Sequence, residues 1–138
     1  MNMSRLFQTH GLKATPARKK VYEALSTTQY LLSVDELYLQ LVQDDPKLSI
    51  STVYRTLESF RQAGLVETNQ LPGEAVLYYE LSHEEHAHHL ICSSCHKVIH
   101  LDECPLHGYD EKIAKTHHFS IQHHQLDIYG LCESCQAA

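Results

Sequence analysis

The chain has 138 residues, 43% of them hydrophobic and 20% charged, with a formal net charge of −6. That composition fits a globular protein of one domain or two small ones and excludes a disordered chain. No run of about 18 apolar residues is present to span a membrane. The opening MNMSRLFQTHGLK also lacks the apolar stretch of a signal peptide, so a cytoplasmic protein with no membrane partner is expected.

The net charge averages two unlike halves. Residues 1–63 carry eight basic and six acidic side chains, and five of the basic ones precede the first acid, Glu23. Residues 64–138 carry three basic and eleven acidic side chains, together with eleven of the twelve histidines and all five cysteines. A mildly basic front joined to an acidic, ligand-rich back suggests a nucleic-acid module coupled to a metal-binding one.

The front half reads as helices. Thr15-Pro16 has the form of an N-cap followed by proline at the first helical position, and Val21, Tyr22 and Leu25 follow at helical spacing. Ser33-Val34-Asp35-Glu36 has the form of a capping box, with Val34, Leu37, Tyr38 and Leu41 as the apolar stripe behind it. Asp45-Pro46 breaks this second helix. A third, capped by Ser49 or Ser51, runs through Val53, Leu57 and Phe60 to Gly64, a natural left-handed terminator. Two short helices around a tight break have the proportions of a helix-turn-helix. The β-prone runs 65–68 and 75–81, joined by Leu71-Pro72-Gly73-Glu74, would form the wing. The exposed first turn of the third helix then presents Ser51, Thr52, Tyr54 and Arg55 to DNA. Hydroxyls and Arg55 suit phosphate and Tyr54 suits a thymine methyl, although Tyr54 could equally pack on the second helix.

The back half is rich in ligands. Cys92-Ser93-Ser94-Cys95 and Cys132-Glu133-Ser134-Cys135 are two C-x-x-C pairs, the spacing that closes a tetrahedral zinc site with no open position. Disulfides are the alternative, which a reducing compartment disfavours. Cys104 precedes Pro105 without a C-x-x-C partner and reads first as a small buried apolar residue, with metal ligation or redox activity as the lesser alternatives. His83, His86, His88 and His89 crowd the approach to the first pair, and His86 and His88 alternate so as to share one strand face. This density, interleaved with carboxylates, implies at least one further metal site.

The segments Gly11–Thr15, Ser51–Leu57, His86–Cys92 and Tyr129–Cys132, in this order, resemble the Fur family of metal-dependent bacterial repressors. The resemblance covers about residues 5–135. It implies an α+β chain with an N-terminal winged helix-turn-helix over 1–81, a hinge at 82–86 and a small α/β dimerisation domain with a four-cysteine zinc site over 87–138. The metal-loaded homodimer would bind an AT-rich inverted-repeat operator in double-stranded DNA, with Lys13 reaching a narrow minor groove. The resemblance further implies a dimerisation-domain metal site at His86, His88, His107 and His124. It also implies a regulatory hinge site at Glu67, Glu80, His89 and His100, with His83 as a substitute. Leu31 and Ala87, at two positions of the iron-sensing version of that site, cannot ligate. Imidazoles where carboxylates are common, together with Glu103-Cys104-Pro105, are most similar to the zinc uptake regulator (Zur) branch. Zn²⁺ is therefore the expected structural and sensed metal, with Fe²⁺ or Mn²⁺ as the alternative sensed ion. No catalytic residue is expected: for the alternative of a zinc hydrolase, no H-E-x-x-H helix is present in the sequence and no carboxylate is evidently placed as a base for metal-bound water. A metal-storage protein is the other alternative, and it would not read DNA.

Overall fold

A computed structural model describes residues 3–82, 88–101 and 103–137. The chain divides into two units, Met1–Ser82 and His83–Ala138. Except for Ser82, the expected hinge at 82–86 lies outside the described residues, as does Ala87.

The first unit comprises α1 (Met3–Thr9), α2 (Pro16–Thr27), α3 (Val34–Val42), α4 (Ile50–Gln62), β1 (Val66–Gln70) and β2 (Leu77–Leu81). Local chemistry sets the helix boundaries. The Thr15 hydroxyl accepts from the Arg18 amide at the start of α2, at 3.3 Å. Ser33 and Glu36 complete the reciprocal capping box, the Glu36 amide donating to the Ser33 hydroxyl at 3.2 Å and the Ser33 amide to the Glu36 carboxylate at 3.1 Å. Ser49 caps α4 by accepting from the Thr52 amide at 3.2 Å, which leaves Ser51 inside the first turn. Gly64, at φ +81°, reverses the chain so that the Leu65 amide reaches the Phe60 carbonyl at 2.8 Å.

One apolar core holds these helices together. Phe7, Val21, Leu25, Leu37, Val53, Leu57 and Phe60 are buried in it. Phe7 meets Tyr22 edge-on at 5.7 Å and Phe60 at 5.6 Å. Helix α1 was not anticipated from the sequence: it is seven residues long, and one fully buried side chain, Phe7, fixes it to the core. β1 and β2 pair antiparallel, with Thr68 opposite Tyr79 and Glu67 opposite Glu80. Tyr79 also exchanges backbone hydrogen bonds with Leu32, which ties the α2–α3 connection to the hairpin. The strands lie slightly later than the sequence suggests, because the turn closed by Glu74 amide to Leu71 carbonyl leaves Ala75 and Val76 outside the ladder.

The second unit comprises β3 (His88–Cys92), β4 (Val98–Leu101), α5 (Tyr109–His117), β5 (Asp127–Gly130) and α6 (Glu133–Gln136). Its sheet has the order β4-β3-β5, with β3 antiparallel to β4 and parallel to β5. α5 is the connection that carries the chain from one sheet edge to the other, and Asp110 and Glu111 in its first turn complement the helix dipole. The whole is the α+β architecture read from the sequence.

The core predicts a sharp contrast along α4. Phe60→Ala should lower the unfolding free energy by about 3–5 kcal/mol. Tyr54→Ala, six residues earlier on the exposed face, should change it by no more than about 0.5 kcal/mol. Urea midpoints of the two variants check this, and equal losses would mean that the outer face of α4 is packed.

Candidate metal centres

In the first unit, the candidate DNA-contacting side chains lie at the start of α4. Val53, Thr56 and Leu57 face the core, whereas Ser51, Tyr54 and Arg55 are exposed, and Thr52 is half-buried beside Ser49. Tyr54 is 53% exposed, which leaves much of its ring open to a partner. Lys13 is exposed in the α1–α2 connection. Arg18 ties that connection to α4, donating to the Lys13 carbonyl at 2.9 Å and to the Ser59 hydroxyl at 3.2 Å. This clamp was not legible from the motifs, since Arg18 and Ser59 belong to different helices. Glu67 and Glu80 are directly opposite on the hairpin, and Glu80 accepts from the Asn69 side-chain amide at 3.2 Å.

In the second unit, four thiols converge. The sulfurs of Cys92, Cys95, Cys132 and Cys135 all lie within 4.8 Å of one another. Cys92 ends β3, and the turn after it is closed by the His96 amide to the Cys92 carbonyl, with His96 at φ +67°. Cys132 caps α6, which places Cys135 one turn further on. The two knuckles are joined at Ser93, whose amide and hydroxyl donate to the Gly130 carbonyl at 2.8 and 3.1 Å. Amide donation from Cys95 and Cys132 favours the charged form of the buried Cys92 thiol and brings it down to about 5. The Cys135 thiol, hydrogen-bonded to Cys132, is pushed up to about 12. One acidic thiol among four close sulfurs is the donor set that holds a borderline-soft cation such as zinc.

A second group forms where β3 meets the segments around α5. The Nε2 of His88 and of His124 are 3.1 Å apart, and the Cys104 sulfur lies 3.2 Å from the former and 3.3 Å from the latter. The two imidazoles stack at 4.9 Å. Each ring is oriented from its far side: His88 Nδ1 faces the Leu126 carbonyl at 3.2 Å, and His124 Nδ1 pairs with the Asp110 carboxylate. The structure thus brings together two of the four expected histidines and adds Cys104. His107 is exposed and not part of this trio, and its backbone amide donates to the Cys104 carbonyl at 3.2 Å. His86 and His83 lie outside the described residues.

His89 and His100 form a third group. They are register partners on β3 and β4, with rings edge-to-face at 4.8 Å. His89 is buried, and its Nδ1 pairs with Asp127 on β5 at 2.9 Å. Leu31, which cannot ligate, is a buried apolar residue of the first unit. Sequence reasoning did not single out the orienting carboxylates Asp110 and Asp127. No spacing rule links them to His124 and His89, which they meet only through the sheet and the α5 connection.

Comparison with known proteins agrees with this arrangement. The model of the ferric uptake regulator family matches residues 9–129. The ferric uptake regulation protein of Bordetella parapertussis is 34% identical over 128 residues, covering 91% of each chain. The solved structure of the Vibrio cholerae ferric uptake regulator superposes with a TM-score of 0.77 at 30% identity, covering 95% of this chain and all of that one. A zinc-bound manganese uptake regulator superposes with a TM-score of 0.78 at 32% identity, covering 96% of this chain and 99% of the other. A family model that spans most of the chain, relatives of more than 30% identity and this shared architecture lead to one assignment: the chain belongs to the ferric uptake regulator family of metal-responsive transcriptional regulators.

Proposed function

We propose that this chain is a repressor that binds an AT-rich inverted repeat as a homodimer and does so only when loaded with metal. The N-terminal turn of α4 carries the reading, because its inner face is fixed in the core while Ser51, Tyr54 and Arg55 face outward. Ser51, Thr52 and Arg55 contact phosphate, Tyr54 presses on a thymine methyl, and Lys13 enters the narrowed minor groove. A two-fold operator matches two copies of the chain. Support for a dimer comes from the second unit, where Ile99 and Ile128, aligned through Leu90 across the sheet, are exposed together with Leu131 as an apolar face that a second copy would cover.

Zinc at Cys92, Cys95, Cys132 and Cys135 is structural in this reading. A second centre uses His86, His88, His107 and His124. The regulatory centre uses Glu67 and Glu80 with His89 and His100, and His83 as a further donor. Two like charges set opposite each other on a hairpin cost stability unless a cation accompanies them, which supports the role of Glu67 and Glu80. A divalent cation supplies a bond that carboxylates of one unit and imidazoles of the other can share. Glu80 and His89 then restrain the connection between the units, so two reading helices keep one half-site spacing instead of sampling many. Affinity for DNA rises by the fraction of molecules already competent. The Vibrio cholerae regulator is described as showing structural rearrangement of its DNA-binding domains, in line with such a device.

Donor chemistry argues for Zn²⁺ as the sensed ion and zinc uptake genes as the targets, since His88 and His107 stand where carboxylates would favour harder ions. The names of the relatives favour a second reading, an iron- or manganese-responsive repressor. Gel shifts of a palindromic AT-rich probe, with Zn²⁺, Fe²⁺ and Mn²⁺ titrated in parallel, separate the two. Zinc should give the shift at the lowest concentration, and a shift with Fe²⁺ or Mn²⁺ alone would assign the other ion. The pair Glu80→Ala with His89→Ala should remove the metal dependence, and unchanged metal-dependent binding would overturn the restraint. Cys92→Ser should instead unfold the second unit or leave a monomer by sedimentation, whereas a stable dimer with an intact metal response would refute the structural role of the thiol cluster.

A further inference from the structure

The group at His88, Cys104 and His124 has a feature that neither the histidine pattern nor the family resemblance assigns, namely a thiol at its centre. The Cys104 sulfur stands within 3.3 Å of both imidazole Nε2 atoms. A small apolar residue filling a gap would meet carbon, but this sulfur meets two ring nitrogens. The far sides of the rings determine what those nitrogens present. A backbone carbonyl and a carboxylate accept hydrogen bonds only, so His88 Nδ1 and His124 Nδ1 must carry the protons. Both Nε2 lone pairs are thereby directed into the same space, 3.1 Å apart. A proton there serves one pair of these atoms at a time, whereas a cation serves all three. A carboxylate or carbonyl behind each imidazole is also the outer-sphere arrangement that orients metal-bound histidines.

We infer that Cys104 is a thiolate ligand and that His88, Cys104 and His124 form a centre of two imidazoles and one thiolate for a borderline or soft cation, Zn²⁺ in preference to Mn²⁺ or Fe²⁺. The inference rests on the reading that this region of the second unit is a metal centre, and it changes the donor set by adding a thiolate, which strengthens the preference for zinc. Thiolate and imidazole suit Zn²⁺, whereas Mn²⁺ prefers carboxylate and water. Asp110 is a positioning residue, because it acts through His124 and contributes no donor of its own to the trio. A pocket beside the trio, lined by Cys104, His107, Glu111, His123 and His124 among others, leaves room for a fourth donor on the open side. His107 supplies that donor in this arrangement, so its place in the centre is beside Cys104 and not instead of it.

Cobalt(II) tests the assignment in the full-length protein, with the four-thiol cluster first filled with zinc and its zinc content followed by elemental analysis throughout. Added Co²⁺ should give near-ultraviolet thiolate-to-cobalt absorption, which the sulfur-free hinge donors cannot produce. Cys104→Ser should lose this band and weaken cobalt binding. Asp110→Asn should keep the band while weakening binding about 10–100-fold, and it serves if Cys104→Ser fails to fold by circular dichroism. Wild-type protein that binds cobalt without the band, or Cys104→Ser with unchanged band and affinity, would overturn the thiolate ligand, and the metal centre itself would stand only if His124→Ala then removed that cobalt binding. No cobalt bound beyond the zinc-filled cluster would overturn both.

Discussion

Strand β3 is the element on which every candidate centre of the second unit depends. It is the middle strand of its sheet, and His88, His89 and Cys92 on it each join a different donor group. The pleat makes this possible. Neighbouring residues on a strand point to opposite faces, so His88 turns towards Cys104 and His124, while His89 turns towards Asp127 and His100. A shift of register by one residue would exchange the two faces and dismantle both groups together. The register is held at the far end by Cys92, whose amide donates to the Lys97 carbonyl at 2.9 Å while its sulfur gathers the amides of Cys95 and Cys132.

The two units are stabilised by different physics. The first has a continuous apolar core running from Phe7 to Tyr79, sufficient for helices that also carry good caps. In the second, Ile91 and Cys92 are the buried hydrophobic residues among those described, and α5 has none. So small a core cannot supply the folding energy of a domain by itself. Cross-linking by ligands is the available substitute, since binding energy at a site absent from the unfolded chain is folding energy. The apolar face at Ile99, Ile128 and Leu131 points to the same need, because covering it with a second copy would extend the core across an interface. In the proposed dimer, metal loading and dimerisation would answer the same need of this unit.

Legibility followed the range of the interactions. The capping box at Ser33 and Glu36, the proline opening α2 and the glycine closing α4 are contacts between residues at most four or five apart, and spacing alone reveals them. The four-thiol cluster was readable because each C-x-x-C bites locally, so only the meeting of two pairs had to be inferred. Helix α1 was not readable, because its reason for existing is Phe7 against Tyr22 and Phe60, far along the chain. The surroundings of Cys104 were hidden for the same reason. Its partners stand 16 and 20 residues away, and no local pattern separates a lone cysteine in a loop from one delivered to two histidines. The pairing of His124 with Asp110 likewise exists only once α5 is placed.

Metal could promote DNA binding in two ways: by lowering the negative charge of the second unit, or by ordering the molecule. The first is attractive for a region with eleven acidic and three basic residues. Yet exposed charges are largely screened beyond about 8 Å at physiological ionic strength, and affinity for a duplex is set mainly by cations that touch phosphate. The exposed Lys13 and Arg55 are on the first unit, and their charges are the same with or without metal in the second. Charge compensation is therefore a weak lever on DNA affinity. Ordering is a stronger one, because a dimer whose reading helices are free to adopt many spacings loses affinity in proportion to the fraction that is mis-spaced. The side chains proposed for the regulatory centre are each held by a neighbour within their own unit, His89 by Asp127 and Glu80 by Asn69, which suits a device that transmits geometry.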